Sequence, residues 1–183
     1  MSGSLRDATP EEFVKAVDPS LKFVNIFSGS PRFNLVYQVR RGDDFYVLKA
    51  AVKGSSHFKF QTFERDALKE CVDVPGITHL VTDYDKVNRD YSAFLKEYVS
   101  GLSFYLPTIP PSAHSLLKSE LVETVRSLNK KGFFGLDVAP RNLVVSLDFQ
   151  AITLIDAFYH KKYMESSDDI RFAEHLFSEP KSA

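Results

Sequence analysis

The stretch Gly135-Leu136-Asp137-Val138-Ala139-Pro140-Arg141-Asn142, with Asp156 fourteen residues beyond the asparagine, constrains this chain more than any other part of it. Leu143 to Ser146 and Ala151 to Ile155 have the composition of two short strands, and Leu147-Asp148-Phe149-Gln150 joins them. A hairpin there returns Asp156 to the side of Asn142. An amide oxygen and a carboxylate placed together suit Mg²⁺, a hard cation that takes one or two protein ligands and completes its octahedron with water and phosphate. Asp137, five residues before Asn142, then faces the same point and is able to accept or orient the proton of an attacking hydroxyl. The competing reading makes Asp137 and Asn142 turn-formers beside Pro140 and Asp156 a strand-end cap, because loops collect these residue types.

Upstream segments supply what a nucleotide site needs. Phe45 to Ala50 is rich in β-branched and aromatic residues, so it is read as a half-buried strand with Lys49 on the face of Val47 and Phe45. Phe60, Phe63, Ala67, Leu68 and Cys71 recur at helical spacing, and Glu64 lies at the edge of that stripe. A carboxylate beside a buried seam is costly unless paired, and Lys49 is the expected partner; the pair would hold the ammonium against nucleotide phosphates. The alternative is a solvated Lys49, with Glu64 paired locally to Arg65 or Lys69. Between Ile26 and Val39 the pattern is strand, small-residue turn, strand, and backbone amides at Gly29 and Ser30 are placed to cover phosphates, although an ordinary hairpin loop has the same composition. Phe94 to Gly101 reads as a strand ending in a flexible joint. There the main chain from Glu97 to Val99 is expected to be free for a flat adenine edge.

In combination these segments resemble the protein-kinase-like superfamily. Asp137 to Asn142 resembles the catalytic loop D-[LIV]-x-x-x-N, Val47-Leu48-Lys49 the strand lysine of V-A-I-K, Glu64 its partner glutamate, and Glu97-Tyr98-Val99 the hinge. The resemblance runs from about Phe23 to Ala157. It implies ATP and Mg²⁺ as cofactors, Asp137 as catalytic aspartate, Asn142 and Asp156 as metal ligands, and Lys49 on the phosphates, while Arg141 balances charge beside Asp137. The fold expected is α+β and bilobal, a single kinase-like domain over positions 1–183. Positions 1–99 would form a small β-sheet lobe carrying one helix, and 100–183 a truncated, mainly helical lobe. The expected reaction moves the γ-phosphoryl group to a hydroxyl of a protein Ser/Thr or a small molecule. The rival is a pseudokinase or regulatory subunit that binds nucleotide or a protein partner without efficient transfer.

Departures from the family pattern are specific. Gly135 and Leu136 stand where a histidine and an arginine are usual, so the loop must be supported differently. Asp156-Ala157-Phe158 replaces D-F-G and lacks its glycine. Lys96 takes the gatekeeper position, either narrowing the adenine pocket or pointing away from it. Twenty-seven residues follow Asp156, too few for an ordinary activation segment, which is similar to small atypical or minimal kinases.

A chain of 183 residues with 44% hydrophobic content suffices for one compact unit or two small lobes. Its net charge of −1, with acids and bases interspersed, gives no support to nucleic-acid binding. One cysteine excludes an intramolecular disulfide and leaves Cys71 as a buried small apolar residue, the pattern of an intracellular, cytoplasmic protein. Met1 to Asp7 lacks a secretory apolar stretch, and no window approaches the roughly twenty apolar residues of a membrane span. Helices are expected at 10–17 with Thr9 as cap, on Leu116, Leu117, Leu121, Val125 and Leu128 after a linker at 106–112, and from Ser166 to Phe177 with Ser167 or Asp168 as cap and Ile170, Ala173, Leu176 and Phe177 inward. The histidines have no ligand spacing. Any exposed cluster at Phe133-Phe134 or Phe158-Tyr159 would mark a partner surface.

Overall fold

Alternation with a period of two organises the first part of the chain, where Leu35, Tyr37 and Val39 are buried and the residues between them are less so. The computed structural model describes residues 8–30, 34–84, 91–158 and 166–178. It divides into two units, Met1–Lys69 with His79–Tyr98, and Glu70–Thr78 with Val99–Ala183.

The first unit contains α1 (Pro10–Val17), β1 (Lys22–Ser30), β2 (Asn34–Arg41), β3 (Asp44–Val52), α2 (Ser56–Glu70), β4 (Leu80–Asp83) and β5 (Tyr91–Glu97). Its strands form a five-stranded sheet in the order β1-β2-β3-β5-β4, antiparallel throughout. Helix α1 starts as the sequence predicts: Thr9 accepts from the Glu12 N–H, Glu12 accepts from the Thr9 N–H, and Pro10 fills the first turn. It buries Phe13, Val14 and Val17 against the sheet face formed by Leu35, Tyr37, Val39, Leu48, Ala50, Ala93 and Leu95, with Phe13 edge-on to the Tyr37 and Tyr91 rings.

The opposite face reads in three rows across β2, β3 and β5: Asn34–Ala51–Ser92, Val36–Lys49–Phe94 and Gln38–Val47–Lys96. Helix α2 meets these rows with polar groups. Gln61 donates to Asn34 and Arg65 to the Ser92 hydroxyl at 3.4 Å, while beyond these rows Lys69 donates to Asp83 of β4 at 2.6 Å. The expected apolar stripe is therefore only half realised, because Ala67, Leu68 and Cys71 are buried while Phe60 and Phe63 are only half-buried beside buried Gln61, Glu64 and Arg65. Residues Gly29 and Ser30 are strand, paired with Leu35 and Asn34, rather than turn. The strand pairing continues further than the small residues suggest, and positions 31–33, where the connection falls, lie outside the described residues.

The second unit contains β6 (Leu102–Ser103), a 3₁₀ turn (Leu106–Thr108), α3 (Pro111–Lys130), a second 3₁₀ turn (Pro140–Asn142), β7 (Leu143–Val145), β8 (Ile152–Leu154) and α4 (Ser166–His175). Strands β6, β7 and β8 form a three-stranded sheet. Positions 70–78 belong to this unit and not with the residues before them, because Thr78 donates to the Leu154 carbonyl at 3.3 Å and Leu154 to that of Gly76 at 2.8 Å. Helix α3 buries Leu117, Leu121, Val125 and Leu128; Leu116, expected in the same stripe, turns to solvent, and Ala113, Val122 and Thr124 complete the inner face. The linker expected at 106–112 is a helical turn, two extended residues, Ile109 and Pro110, and the first residues of α3. Gly101 has its own reason: a Cβ there would collide with the Val145 carbonyl oxygen, so the chain approaches β7 only as glycine. In α4 Ala173 is fully buried, and Phe177 beyond it lies edge-on to Phe104 at 5.2 Å. The aromatic cluster considered as a partner surface is not exposed at Phe158, which is buried edge-on to Phe133 at 5.3 Å; Tyr159 lies outside the described residues. Among the described residues no helix is long and apolar enough to cross a membrane.

Two titrating groups give this fold chemical signatures. Burial pushes the Cys71 thiol up to about 11, so it is expected to resist alkylation until the chain unfolds. Beyond α1, Asp18 accepts hydrogen bonds from Ser20, from the Tyr84 hydroxyl at 2.6 Å and from Arg41 at 2.9 Å. Burial opposes its ionisation, but those bonds outweigh burial and hold the carboxyl down at about 2, against an ordinary 3.8. A depressed acid adds stability that is fully present above its unfolded value and lost as pH falls through its folded one. The loss of stability caused by Asp18→Asn is therefore expected to be largest above about pH 4 and to vanish toward about pH 2, measured by denaturant unfolding of both proteins across that range.

Candidate active site

The hairpin of β7 and β8 pairs Leu143 with Leu154, Val144 with Thr153 and Val145 with Ile152, and its open end assembles the polar residues. There the Ile155 N–H donates to the Asn142 carbonyl at 2.8 Å, and the Asp137 N–H donates to that of Ala157 at 3.0 Å. Asp156 is thus bracketed by two main-chain bonds, one to each of its predicted companions. The Asn142 side chain is buried, and its Nδ2 donates to the Asp137 carbonyl at 2.9 Å, so Oδ1 is the amide atom that could meet a cation. Arg141 Nη2 reaches both carboxylate oxygens of Asp137, at 2.8 and 2.7 Å. With the Arg141 side chain 70% exposed, this pair is worth at most about 1 kcal/mol.

The loop entering this arrangement rests on a carboxylate that sequence reasoning missed. Asp169, in the first turn of α4, is 0% exposed and accepts from the Gly135 N–H and the Leu136 N–H, each at 3.0 Å. Gly135 holds φ at +68°, the left-handed region that glycine enters without steric cost. Burial raises the Asp169 pKa, the two amide bonds pull it back, and the net shift is upward. The available sequence signal was position: Asp169 precedes buried Ala173 by one helical turn, whereas reading acids near a helix start as caps hides the difference.

In the first unit, Lys49 Nζ donates to one oxygen of Glu64 at 2.7 Å and Lys96 Nζ to the other at 2.8 Å. All three residues are buried, at 7%, 5% and 2% exposure for Lys49, Glu64 and Lys96. Arg65 and Lys69, the local alternatives for Glu64, pair instead with Asp66 and Asp83. Lys96, expected to narrow a pocket or turn away, engages the same carboxylate as Lys49. The main-chain N–H of Glu97 is not free as expected, since it donates to the His79 carbonyl at 3.0 Å as β5 ends, and the Glu97 side chain accepts from the His79 N–H at 3.1 Å.

No protein-family profile matches the chain. It is 27% identical over 150 residues to the serine/threonine-protein kinase AtPK2/AtPK19 of Arabidopsis thaliana, covering 76% of this chain and 31% of that protein. It is also similar in structure to the Cydia pomonella granulovirus kinase PK-1, with a TM-score of 0.60 and 18% identity over 74% of this chain and 52% of that one. The fold is that of the protein-kinase-like superfamily. The chain spans about half the length of the viral kinase and about a third of the plant one.

Within this kinase-like fold, the replacement of the usual histidine and arginine by Gly135 and Leu136 now has a physical account. A left-handed Gly135 points two consecutive N–H groups at one buried carboxylate, so the loop is held through its main chain. Asp169→Ala would leave both N–H groups without their acceptor and is expected to lower unfolding free energy by about 1–3 kcal/mol. Asp169→Asn keeps an acceptor oxygen without the buried charge and is expected to cost less, with urea midpoints of the two variants as the measurement.

Proposed function

We propose that the chain is a phosphotransferase that moves the γ-phosphoryl group of ATP to a hydroxyl acceptor with the help of Mg²⁺. The observation that carries this reading is the bracketing of Asp156 between Asn142 and Asp137 by the Ile155 and Asp137 N–H bonds. Its donor set, one amide oxygen and one carboxylate, suits a hard cation that keeps water and phosphate as its other ligands. Bound there, Mg²⁺ would neutralise charge on the phosphate oxygens. Asn142 and Asp156 would hold it, and Lys49, oriented by Glu64, would take the phosphates.

Asp137 would orient the acceptor hydroxyl and take up its proton. Arg141 occupies both Asp137 oxygens through one exposed guanidinium nitrogen, a weak pair that an incoming hydroxyl is able to displace. The main chain at Glu97 and at Val99 would meet the flat edge of adenine. Gly29 and Ser30, the last residues of β1 paired with β2, would cover the phosphates from the end of that hairpin. The name of the plant relative makes a protein serine or threonine hydroxyl one acceptor class, and a small-molecule hydroxyl is the other.

A second reading, nucleotide binding without transfer, is favoured by the two-oxygen engagement of Asp137 by Arg141. Thermal shift with ATP and Mg²⁺ alongside an ATPase assay separates the two. Transfer predicts stabilisation by the nucleotide together with turnover; stabilisation alone supports the second reading. Asp137→Ala and Asp156→Ala are each expected to reduce turnover by about two or more orders of magnitude with little change in melting temperature. Full activity in Asp137→Ala would remove its assigned role.

A further inference from the structure

Helix α2 is attached to its sheet through polar groups aimed at three successive rows, and the central attachment is Glu64. Lys49 and Lys96 approach this carboxylate from neighbouring strands. Lys96 is opposite Val47 in the β3–β5 register, and Lys49 follows Val47 by two residues, so both lysines project from one face. Each takes a different oxygen. A single ammonium leaves a carboxylate free to rotate about its own axis, whereas one donor on each oxygen fixes its plane and, with it, the helix that carries it. With all three groups nearly excluded from water, separating either pair would strand a buried charge.

We propose that Lys96 is a positioning residue that latches α2 to the sheet through Glu64, so that the Lys49–Glu64 pair is permanently formed and needs no movement of α2 to assemble. Lys96 acts through Glu64 and not on the nucleotide. Its consequence for nucleotide rests on the function proposed above; the latch itself does not. Buried ion networks of this kind add little net stability and instead specify one arrangement among several, which suits a helix whose sheet-facing side is largely polar. Lys96 thus does for orientation what a larger apolar seam would otherwise do.

Hydrogen exchange and ATP binding on the full chain test this together. In Lys96→Met, amides in the part of α2 from Gln61 to Leu68 are expected to exchange about tenfold faster, and the ATP dissociation constant to rise about tenfold, without loss of the cooperative melt. Lys96→Gln retains a donor for Glu64 and is expected to show a smaller change in both readouts; it also serves if the methionine variant does not fold. Because Lys96 works through Glu64, Glu64→Gln and the double variant Glu64→Gln/Lys96→Met are expected to bind ATP equally weakly. Wild-type exchange in α2 of the folded Lys96 variants would overturn the latch, as would additive losses of ATP affinity in the double variant. A wild-type chain that fails to bind ATP would sink the nucleotide function alone, since the exchange measurement reads the latch without it.

Discussion

A carboxylate taken out of water must be matched, and the matching of Glu64 organises the first unit. Its two oxygens receive ammonium groups from β3 and β5, which ties a helix to two strands at once. This works only because the sheet register places Lys49 and Lys96 on the same face. A slip of one residue in either strand would send its lysine to the face packed by α1 and leave Glu64 with one partner. The apolar packing of Phe13, Tyr37, Leu48 and Leu95 on that other face therefore protects the charged arrangement, since burying a lysine among those rings would cost more than the slip returns.

The second unit repeats the device with different chemistry. Asp169 is a buried carboxylate on a helix, and it too holds a segment of functional interest, but its donors are the neutral N–H groups of Gly135 and Leu136. Neutral donors compensate burial less completely than cations do, which is why the Asp169 pKa ends above its ordinary value. The contrast with Asp18 is instructive. That side chain, nearer to solvent and bonded by Ser20, Tyr84 and Arg41, is pulled the other way.

Much of the kinase-like character was legible in the sequence because it is local. The hairpin between Asn142 and Asp156 follows from strand composition on either side of a short connection, and its closure brings the ends together without help from distant parts of the chain. Helix α1 was readable from Thr9, Pro10 and Glu12 for the same reason. Where the reading moved, tertiary packing had intervened. Leu116 falls outside the buried face of α3 because Ala113, Leu117, Val122 and Thr124 define that face instead. Gly29 and Ser30 look like turn residues by composition, but pairing with β2 extends β1 through them.

Residue type and spacing by themselves determined the α+β class, the Asp137, Asn142 and Asp156 group, and the need of Glu64 for a cation, because each follows from short-range geometry or from the cost of an unmatched charge. Only the tertiary structure decided that Glu64 has two cations and that Asp169 supports the loop at Gly135. Lys96 lies thirty-two residues from Glu64, and Asp169 lies thirty-three from Leu136. No periodicity links positions so far apart. Their meeting depends on strand order and helix placement, which are settled by the packing of whole elements and are written in no single stretch of the chain.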